Sequence, residues 1–127
     1  QVLINIIKNA IQASGEEGEV SIKAYSYSQE AFDRYFILKE EGKCIGDMPC
    51  NKEFICIEIK DTGPGIDTEN LLRIFEPFFT TKETKGSGLV LFIAQELIKD
   101  HNGCICVDST LGKGTTFIIM LPRNGND

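Results

Sequence analysis

Asp61 closes a strand-like segment and is followed at once by a glycine-rich turn. In the segment 54–60 the three isoleucines share one face, and by the same parity Asp61 continues that face. A carboxylate at the edge of an apolar layer is costly unless it is paired, and no basic residue of that face lies nearby in sequence. Gly63 and Gly65 let the backbone turn sharply and approach a flat object closely. Two interpretations stay open: Asp61 accepts a hydrogen bond from the amino edge of an adenine, or it bonds its own turn.

Thr115 lies at the start of another alternating segment, 115–121. It shares strand parity with the apolar residues of that segment, so it also points from an apolar face near a strand end. A hydroxyl and the Asp61 carboxylate on one buried layer could hold a base together, including through a water molecule. Thr115 therefore favours the base-binding interpretation.

Asn5 and Asn9 lie four residues apart in the first helical segment, in line with Gln1 and Gln12. Amide oxygens are neutral, hard ligands that suit Mg²⁺ whose charge is already partly balanced by phosphate. The alternative is a solvated polar stripe, which this helix taken alone favours.

The segment 80–88 reads TTKETKGSG and directly precedes a helical pattern. Glycines before a helix N-terminus expose backbone N–H groups to an anion, and the helix dipole adds attraction. Lys82 and Lys85 supply local positive charge on an acidic chain. With Asp61 and the asparagines, this segment predicts a phosphate end opposite a base end.

Length and composition limit the classes of protein that fit. A chain of 127 residues has room for one domain, and a net charge of -6 argues against a general field for nucleic acid or anionic membrane. No apolar run approaches the roughly 20 residues of a membrane span, and no signal peptide is evident. The opening Gln1-Val2-Leu3-Ile4 is already helical in pattern and lacks Met, which favours a segment of a longer protein. Five cysteines without a Cys-x-x-Cys pair favour reduced thiols over a metal or redox site.

The periodicity predicts an order of helix, strand, strand, helix, helix, strand, strand. This order suits helices layered on one face of a mixed sheet. An exposed insertion, with a hairpin as its expected form, is predicted for 28–53, and a mobile loop for 76–88. The predicted elements are a helix to about residue 14, strands at 20–25 and 54–60, a short helix capped by Thr68, a helix from about 89 to 101, and strands at 104–108 and 115–121.

Five ordered motifs resemble those of the ATP-binding domain of sensor histidine kinases, in particular nitrogen-regulation-like sensor kinases. That domain belongs to a superfamily shared with DNA gyrase, mismatch-repair ATPases and heat-shock chaperone ATPases. The matching segments are QVLINIIKNAIQA as N box, DTGPGI as first glycine box, FEPFF as F box, then TTK followed by GSGL as second glycine box, and the closing segment 101–117 with GKGTTF at its end. The resemblance implies an α+β fold of the Bergerat type over 1–127. This is a two-layer α/β sandwich whose mixed sheet of about five strands carries about three helices on one face.

Position by position, the resemblance implies the ligands of Mg-ATP. Asn9 would ligate Mg²⁺, Asn5 would face the phosphates beside it, and Lys82 would approach the terminal phosphates from an ATP lid formed by 76–88. Asp61 would accept from the adenine amino group with assistance from Thr115. The full set of implied nucleotide-binding residues is Asn9, Asp61, Gly63, Gly65, Ile66, Thr80, Thr81, Lys85, Gly86, Ser87, Gly88, Leu89 and Thr115.

Two positions separate the possible activities. The hydrolytic and serine-kinase relatives usually carry Glu where this chain has Asn5, and an amide cannot accept a proton from water, so Asn5 favours a kinase over an ATPase or serine kinase. Val90 stands where the second glycine box usually continues with Gly. A bulky β-branched residue there favours the other alternative, a module that binds nucleotide without kinase activity.

The resemblance implies a protein-histidine kinase that passes the γ-phosphate to a histidine on a separate dimerisation domain, and then to a response regulator receiver domain. His101 is the single histidine and lies at a helix end, where capping is the ordinary role, so this chain alone is not expected to phosphorylate itself. The expected setting is a cytoplasmic monomeric domain of a homodimeric parent, with the parent free to be membrane-anchored. Neither nucleic acid nor direct membrane contact is expected.

Overall fold

A computed structural model describes residues 2–26, 28–47, 54–71, 73–79 and 89–122, leaving out the side chains of residues 2, 3, 5, 9 and 13. The helices are α1 (Val2–Ser14), α2 (Gln29–Glu40) and α3 (Val90–Asp100). The strands are β1 (Val20–Ser26), β2 (Cys44–Ile45), β3 (Phe54–Asp61), β4 (Cys104–Thr110) and β5 (Gly114–Pro122). Two short 3-10 turns, Thr68–Asn70 and Arg73–Phe75, lie between β3 and α3.

The five strands form one sheet in the order β1-β3-β5-β4-β2, and every neighbouring pair is antiparallel. The α+β class with five strands is confirmed, but the expectation of a mixed sheet is wrong. The reason lies in β5: β3 and β4 run in the same direction through the α3 connection, yet β5 inserts between them and pairs with both. Strand order, which a single sequence does not reveal, decides the point.

One face of the sheet, the α1/α3 face, packs against α1, α3 and the 3-10 turns. Its core contains Ile6 and Ala10 of α1, Ala94 and Ile98 of α3, and the buried residues Ile59, Leu71, Phe75, Ile105, Val107, Phe117 and Ile119. The strand members of this set alternate with residues of the opposite face, as the pleat requires. The helices α1 and α3 also contact each other, so this face carries the helical layer that the sequence predicts.

The other face, the α2 face, is covered by α2. Its core combines Ala31, Tyr35 and Leu38 of α2 with the strand residues Phe54, Cys56, Cys104, Cys106, Ile118 and Met120. A third layer is therefore present, and the expectation that all helices lie on one face of a two-layer sandwich needs this correction.

The insertion forms a helix where a hairpin was predicted. Ser28 has extended backbone angles and its Oγ accepts a hydrogen bond from the N–H of Ala31 at 3.1 Å, which caps the first turn of α2. Ala31, Tyr35 and Leu38 then recur at helical spacing and are buried. The signal was present in the sequence, but the charged residues between these positions hid it.

Cys44 and Cys106 form a disulfide bond, so the prediction of reduced thiols is wrong for this pair. The two cysteines are direct partners in the β2–β4 ladder, and cross-strand partners stand close enough for a bridge. Cys56 and Cys104 are free and buried, as predicted for strand cysteines. Burial raises the pKa of Cys56 to about 11 and that of Cys104 to about 12, which keeps both thiols protonated.

The start of the first 3-10 turn differs from the prediction, whereas the end of α3 confirms it. The cap of the first 3-10 turn is Asp67 rather than Thr68, since the Asp67 carboxylate accepts from the N–H of Glu69 at 3.0 Å. Asn102, with φ of 61°, ends α3, and the N–H of Gly103 reaches the carbonyl of Ile98 at 2.9 Å, as the Asn-Gly stop predicts. Within the described ranges no helix has the length and apolar character required to cross a bilayer.

Candidate functional site

A row of three polar residues crosses the α1/α3 face at one end of the sheet. In the strand registers Ser109 of β4 is opposite Thr115 of β5, and Thr115 is opposite Asp61 of β3. The preceding row on the same face is apolar and consists of Val107, Phe117 and Ile59. Asp61 and Thr115 therefore lie together at the border of the core, where strand parity placed them.

Asp61 is buried, with 3% of its surface exposed. Its Oδ1 accepts a hydrogen bond from the N–H of Gly63 at 2.9 Å. Burial raises the pKa of the Asp61 carboxyl, and hydrogen bonds from the backbone of Gly63 and Thr115 only partly oppose this. None of the salt bridges among the described residues involves Asp61.

The carboxylate has capacity left for a ligand. An ionised carboxyl offers about four lone-pair sites, and two backbone N–H groups engage Asp61. Asp61 thus bonds its own turn, as the second interpretation expects, and it has no ionic partner among the described residues. Its acceptance of a hydrogen bond from an adenine stays a prediction. The remaining lone pairs of Asp61 can accept hydrogen bonds from neutral or cationic donors.

Ser109 is the site residue that sequence reasoning missed. Its Oγ lies 2.8 Å from the Oγ1 of Thr115, 3.0 Å from the carbonyl oxygen of Gly114 and 2.8 Å from the backbone nitrogen of Ile66. Its parity with Val107 in β4 was a usable signal, but only knowledge of the β4–β5 register would have placed it beside Thr115.

The turn after Asp61 is fastened to the turn between β4 and β5. The N–H of Gly112 donates to the carbonyl of Pro64 at 2.8 Å. Gly65 has φ of 78°, and a Cβ there would lie 2.2 Å from the carbonyl oxygen of Thr110, so no larger residue fits. Internal packing alone thus explains Gly65, while Gly63 is buried beside Asp61 and Ile66 packs partly against the core.

Thr62 ties the same turn to the end of α1. Its backbone N–H donates to the Glu19 carbonyl at 3.1 Å, and its Oγ1 accepts from the Glu19 N–H at 2.8 Å. The Oγ of Ser14, the last residue of α1, lies 3.3 Å from the Thr62 nitrogen. The helix that carries the asparagines and the strand that carries Asp61 therefore meet at one place.

For the two asparagines, the structure confirms only the helix on which they were predicted to lie. Asn5 and Asn9 both lie within α1, so their four-residue spacing places them on one side of it. Their side chains lie outside the described residues, and the choice between magnesium ligand and polar stripe stays a prediction.

The predicted phosphate end also lies mostly outside the described residues. This applies to Thr80, Thr81, Lys82, Lys85, Gly86, Ser87 and Gly88. Leu89 is half-buried and precedes the first residue of α3, Val90, which has 39% of its surface exposed. The β-branched side chain of Val90 is thus accommodated at a helix start without being forced into the core.

The FEPFF segment packs against the apolar row that lies next to the polar row. Phe75 is buried and meets Phe117 edge to face, with ring centroids 6.3 Å apart. Arg73 lies over the ring of Phe79 at 4.7 Å. His101, at the end of α3, places its Nδ1 2.8 Å from the carbonyl of Leu97, in keeping with a helix-end role.

Comparison with known proteins extends these observations. The family model described as histidine kinase-, DNA gyrase B- and HSP90-like ATPase matches residues 1–125. The sensor kinase CckA of Brucella abortus is 39% identical over 125 residues, which is 97% of this chain and 12% of that protein. The histidine-protein kinase AtoS of Escherichia coli is 38% identical over 126 residues, which is 98% of this chain and 16% of that protein. This chain thus spans a small part of the curated relatives.

Solved structures agree with the fold. The catalytic domain of histidine kinase ThkA aligns with a TM-score of 0.67 and 33% identity, over 97% of this chain and 65% of that chain. ThkA in complex with the response regulator protein TrrA aligns at 0.64 and 30%, over 100% and 29%. Full-length ShkA in complex with AMPPNP aligns at 0.68 and 26%, over 95% and 20%.

The matched family model covers nearly the whole chain, and the polar row, the glycine turn and the antiparallel five-stranded sheet lie within the matched region. The chain belongs to the family of histidine kinase-, DNA gyrase B- and HSP90-like ATPases.

Proposed function

We propose that this chain is the ATP-binding catalytic domain of a two-component sensor histidine kinase. The observation that carries the proposal is the buried Asp61 carboxylate, which has no ionic partner among the described residues and stands beside the glycine turn at the end of β3. The relatives are named as sensor kinases, and one similar structure is a complex with AMPPNP.

The base end of the proposed site binds a purine through an edge that carries a hydrogen-bond donor. Asp61 accepts a hydrogen bond from the exocyclic amino group of adenine, and Thr115 assists from the neighbouring strand, with Ile66 against the base. Because Gly63 carries no side chain, the base can lie close to the turn, while Gly65 contributes by keeping the turn packed against Thr110. Burial strengthens the interaction, since the carboxylate has little water to compete with the ligand.

The phosphate end of the proposed site combines α1, the lid and the start of α3. Asn9 would hold Mg²⁺, with Asn5 one turn before it. The lid residues that surround the phosphates are Thr80, Thr81, Lys82, Lys85, Gly86, Ser87, Gly88 and Leu89. When bound, the metal would supply charge neutralisation at the phosphates, and neutral amide donors would suit an ion that keeps phosphate ligands.

The reaction proposed for the parent protein is transfer of the γ-phosphate to a histidine on a separate dimerisation domain. Asn5 orients and does not abstract a proton, so water is not activated and transfer to a histidine is favoured over hydrolysis. A receiver domain is the proposed next acceptor, because similar ThkA is found in complex with a response regulator protein. We place the domain in the cytoplasm of a homodimeric parent, where ATP and receiver domains are available.

The base assignment is tested by calorimetric titration of this chain with AMPPNP, with and without Mg²⁺. Asp61→Asn replaces an anionic acceptor with an amide, so affinity is expected to fall by about tenfold or more. Asp108→Asn is the matched control: Asp108 directly precedes Ser109, faces α2 and pairs with Arg34 at 3.6 Å. Equal affinities for wild type and Asp61→Asn would refute the assignment.

The reaction is tested on the parent protein with γ-labelled ATP. Label is expected on a histidine of the dimerisation domain and not on His101 of this chain. Steady ATP hydrolysis by this chain alone would favour the ATPase alternative, and tight binding without labelled histidine in the parent would favour a nucleotide-binding module.

A further inference from the structure

The hydroxyl of Thr62 takes the place of a backbone carbonyl at the end of the β1–β3 ladder. The ladder ends with Val20 opposite Asp61, so the next pair along both chains is Glu19 and Thr62. The N–H of Thr62 donates to the Glu19 carbonyl at 3.1 Å, as a ladder bond does. In a regular ladder the Glu19 N–H would donate to the Thr62 carbonyl, but here it donates to the Thr62 Oγ1 at 2.8 Å. The side chain thus ends the ladder while the backbone leaves the sheet for the glycine turn.

The end of α1 joins this pair through Ser14. The Ser14 Oγ lies 3.3 Å from the Thr62 nitrogen, which can only donate, and 3.2 Å from the Glu19 carbonyl oxygen, which can only accept. The direction of both hydrogen bonds is therefore determined, and the Ser14 hydroxyl bridges the two chain segments. We call the three bonded residues Ser14, Glu19 and Thr62 the clasp.

Gly18 lets the connection between α1 and β1 fold closely against the helix end. A Cβ at Gly18 would lie 2.2 Å from the carbonyl oxygen of Ser14 and 2.5 Å from the Cβ of Ser14. Side chains do not approach other atoms so closely, so any larger residue would displace the connection. Because Gly18 directly precedes Glu19, its fit determines where the Glu19 backbone meets Thr62.

The clasp lies between the two ends of the proposed nucleotide site. Asp61, at the base end, directly precedes Thr62. Asn9, at the proposed metal end, belongs to the same helix as Ser14 and lies about 7.5 Å before it along the helix axis. The helix α1 also packs against β3 through the core, but apolar contacts are non-directional and allow a helix to slide. Hydrogen bonds are directional, so the clasp fixes the position of α1 along β3.

We infer that Thr62 is a positioning residue of the proposed site: its hydroxyl holds α1, which carries Asn9, at a fixed spacing from Asp61. This inference rests on the proposed Mg-ATP site. A nucleotide triphosphate with its metal contacts both ends at once, so its affinity depends on the spacing between them. Adenosine has no phosphates and contacts only the base end, so its affinity does not depend on that spacing.

The test compares the affinity of this chain for AMPPNP with Mg²⁺, measured by calorimetry, with its affinity for adenosine, measured by NMR titration. Thr62→Val removes the acceptor of the Glu19 N–H. The ratio of AMPPNP to adenosine affinity is therefore expected to fall by about fivefold, with the adenosine affinity unchanged. Thr62→Ser keeps a hydroxyl and is expected to keep the ratio. Thr68→Val, at an exposed position of the first 3-10 turn, is the control for threonine replacement as such.

A merely structural role gives a different result. Equal losses for both ligands in Thr62→Val, or no loss for either, would overturn the inference, as would a Thr62→Ser variant that behaves like Thr62→Val. Gly18→Ala provides a second route, because it displaces the clasp without changing Thr62. Titrated below its melting transition, Gly18→Ala should also lower the ratio, and a wild-type ratio in this variant would count against the clasp.

The two levels of proposal fail in distinguishable ways. Wild-type affinities of Asp61→Asn for both adenosine and AMPPNP would remove the adenine site itself. A loss of both affinities in Asp61→Asn, together with a wild-type ratio in Thr62→Val, would keep the site and remove only the role of Thr62.

Discussion

Each face of β3 carries a carboxylate, and the two carboxylates have opposite kinds of surroundings. On the α2 face, Glu58 accepts hydrogen bonds from the hydroxyl of Tyr25 and from Arg34, whose guanidinium lies 3.1 Å away. On the α1/α3 face, Asp61 is buried with backbone N–H groups as its partners. The difference matches the proposed function, in which Glu58 serves the fold and Asp61 keeps acceptor sites for a ligand.

The same contrast holds for the layers above the sheet. The α2 face is closed by its own helix, by the Arg34 ion pairs and by the Cys44–Cys106 disulfide. The α1/α3 face ends in the polar row and in two turns bonded to each other through Ser109. If this division is real, damage to the α2 face should change stability and leave nucleotide affinity intact.

The largest effects are expected from matched truncations on β5. Phe117 and Met120 are both buried, at 3% and 1% exposure, but face opposite sides of the sheet. Phe117→Ala and Met120→Ala should each lower the free energy of unfolding by about 2–5 kcal/mol through cavity formation. Only Phe117→Ala should also weaken nucleotide binding, because Phe117 lies two residues from Thr115 and packs on Phe75.

Urea melts give the stabilities, and calorimetry at a temperature where both variants are folded gives the affinities. Equal losses of nucleotide affinity in the two variants would contradict the division between the faces.

How far the sequence predicted these faces depends on the range of the interactions involved. Strand parity placed Asp61 and Thr115 on one apolar layer, and the structure makes them direct partners. Parity is a local property, whereas strand order and register are long-range. Ser109 and the antiparallel arrangement were missed for that reason, and the α2 face was missed because charged residues separate the buried positions of α2.

The next effect concerns the disulfide on the α2 face. Cys44 and Cys106 are 62 residues apart in sequence. Closing a loop of this length lowers the conformational entropy of the unfolded chain, which stabilises the fold by up to about 4 kcal/mol. Cys44→Ser, or a dithiol reductant that supplies the two electrons needed to reduce the bond, should therefore lower the free energy of unfolding by about 2–4 kcal/mol. AMPPNP affinity should not change.

Non-reducing and reducing melts of the same sample measure the effect, and the reductant should leave the melt of Cys44→Ser unchanged. Identical wild-type melts under both conditions would mean that the pair is reduced in solution, as the cysteine content first suggested. A fall in AMPPNP affinity upon reduction would show that the α2 face does communicate with the site.

The smallest effects are the most informative, because they have opposite signs on one strand. Burial tends to raise the pKa of Glu58, but the hydrogen bond from Tyr25 and the nearby Arg34 outweigh it and lower that pKa. Glu58 therefore contributes stability above the ordinary glutamate pKa, and this contribution is lost as the pH falls through its folded-state pKa. Glu58→Gln should lower the free energy of unfolding at pH 7 by about 1 kcal/mol, with a smaller difference in acid.

Asp61 should show the reverse, because burial raises its pKa above the ordinary value. Its charge opposes folding above the folded-state pKa, and this penalty vanishes as the pH falls below the ordinary aspartate pKa. Asp61→Asn should thus be as stable as wild type at pH 7 or more stable, by less than about 1 kcal/mol, while it loses nucleotide affinity. Urea melts of both variants at pH 7 and pH 3 measure the two signs. A destabilised Asp61→Asn at pH 7 would mean that the carboxylate serves the fold as Glu58 does, and the functional distinction between the faces would be lost.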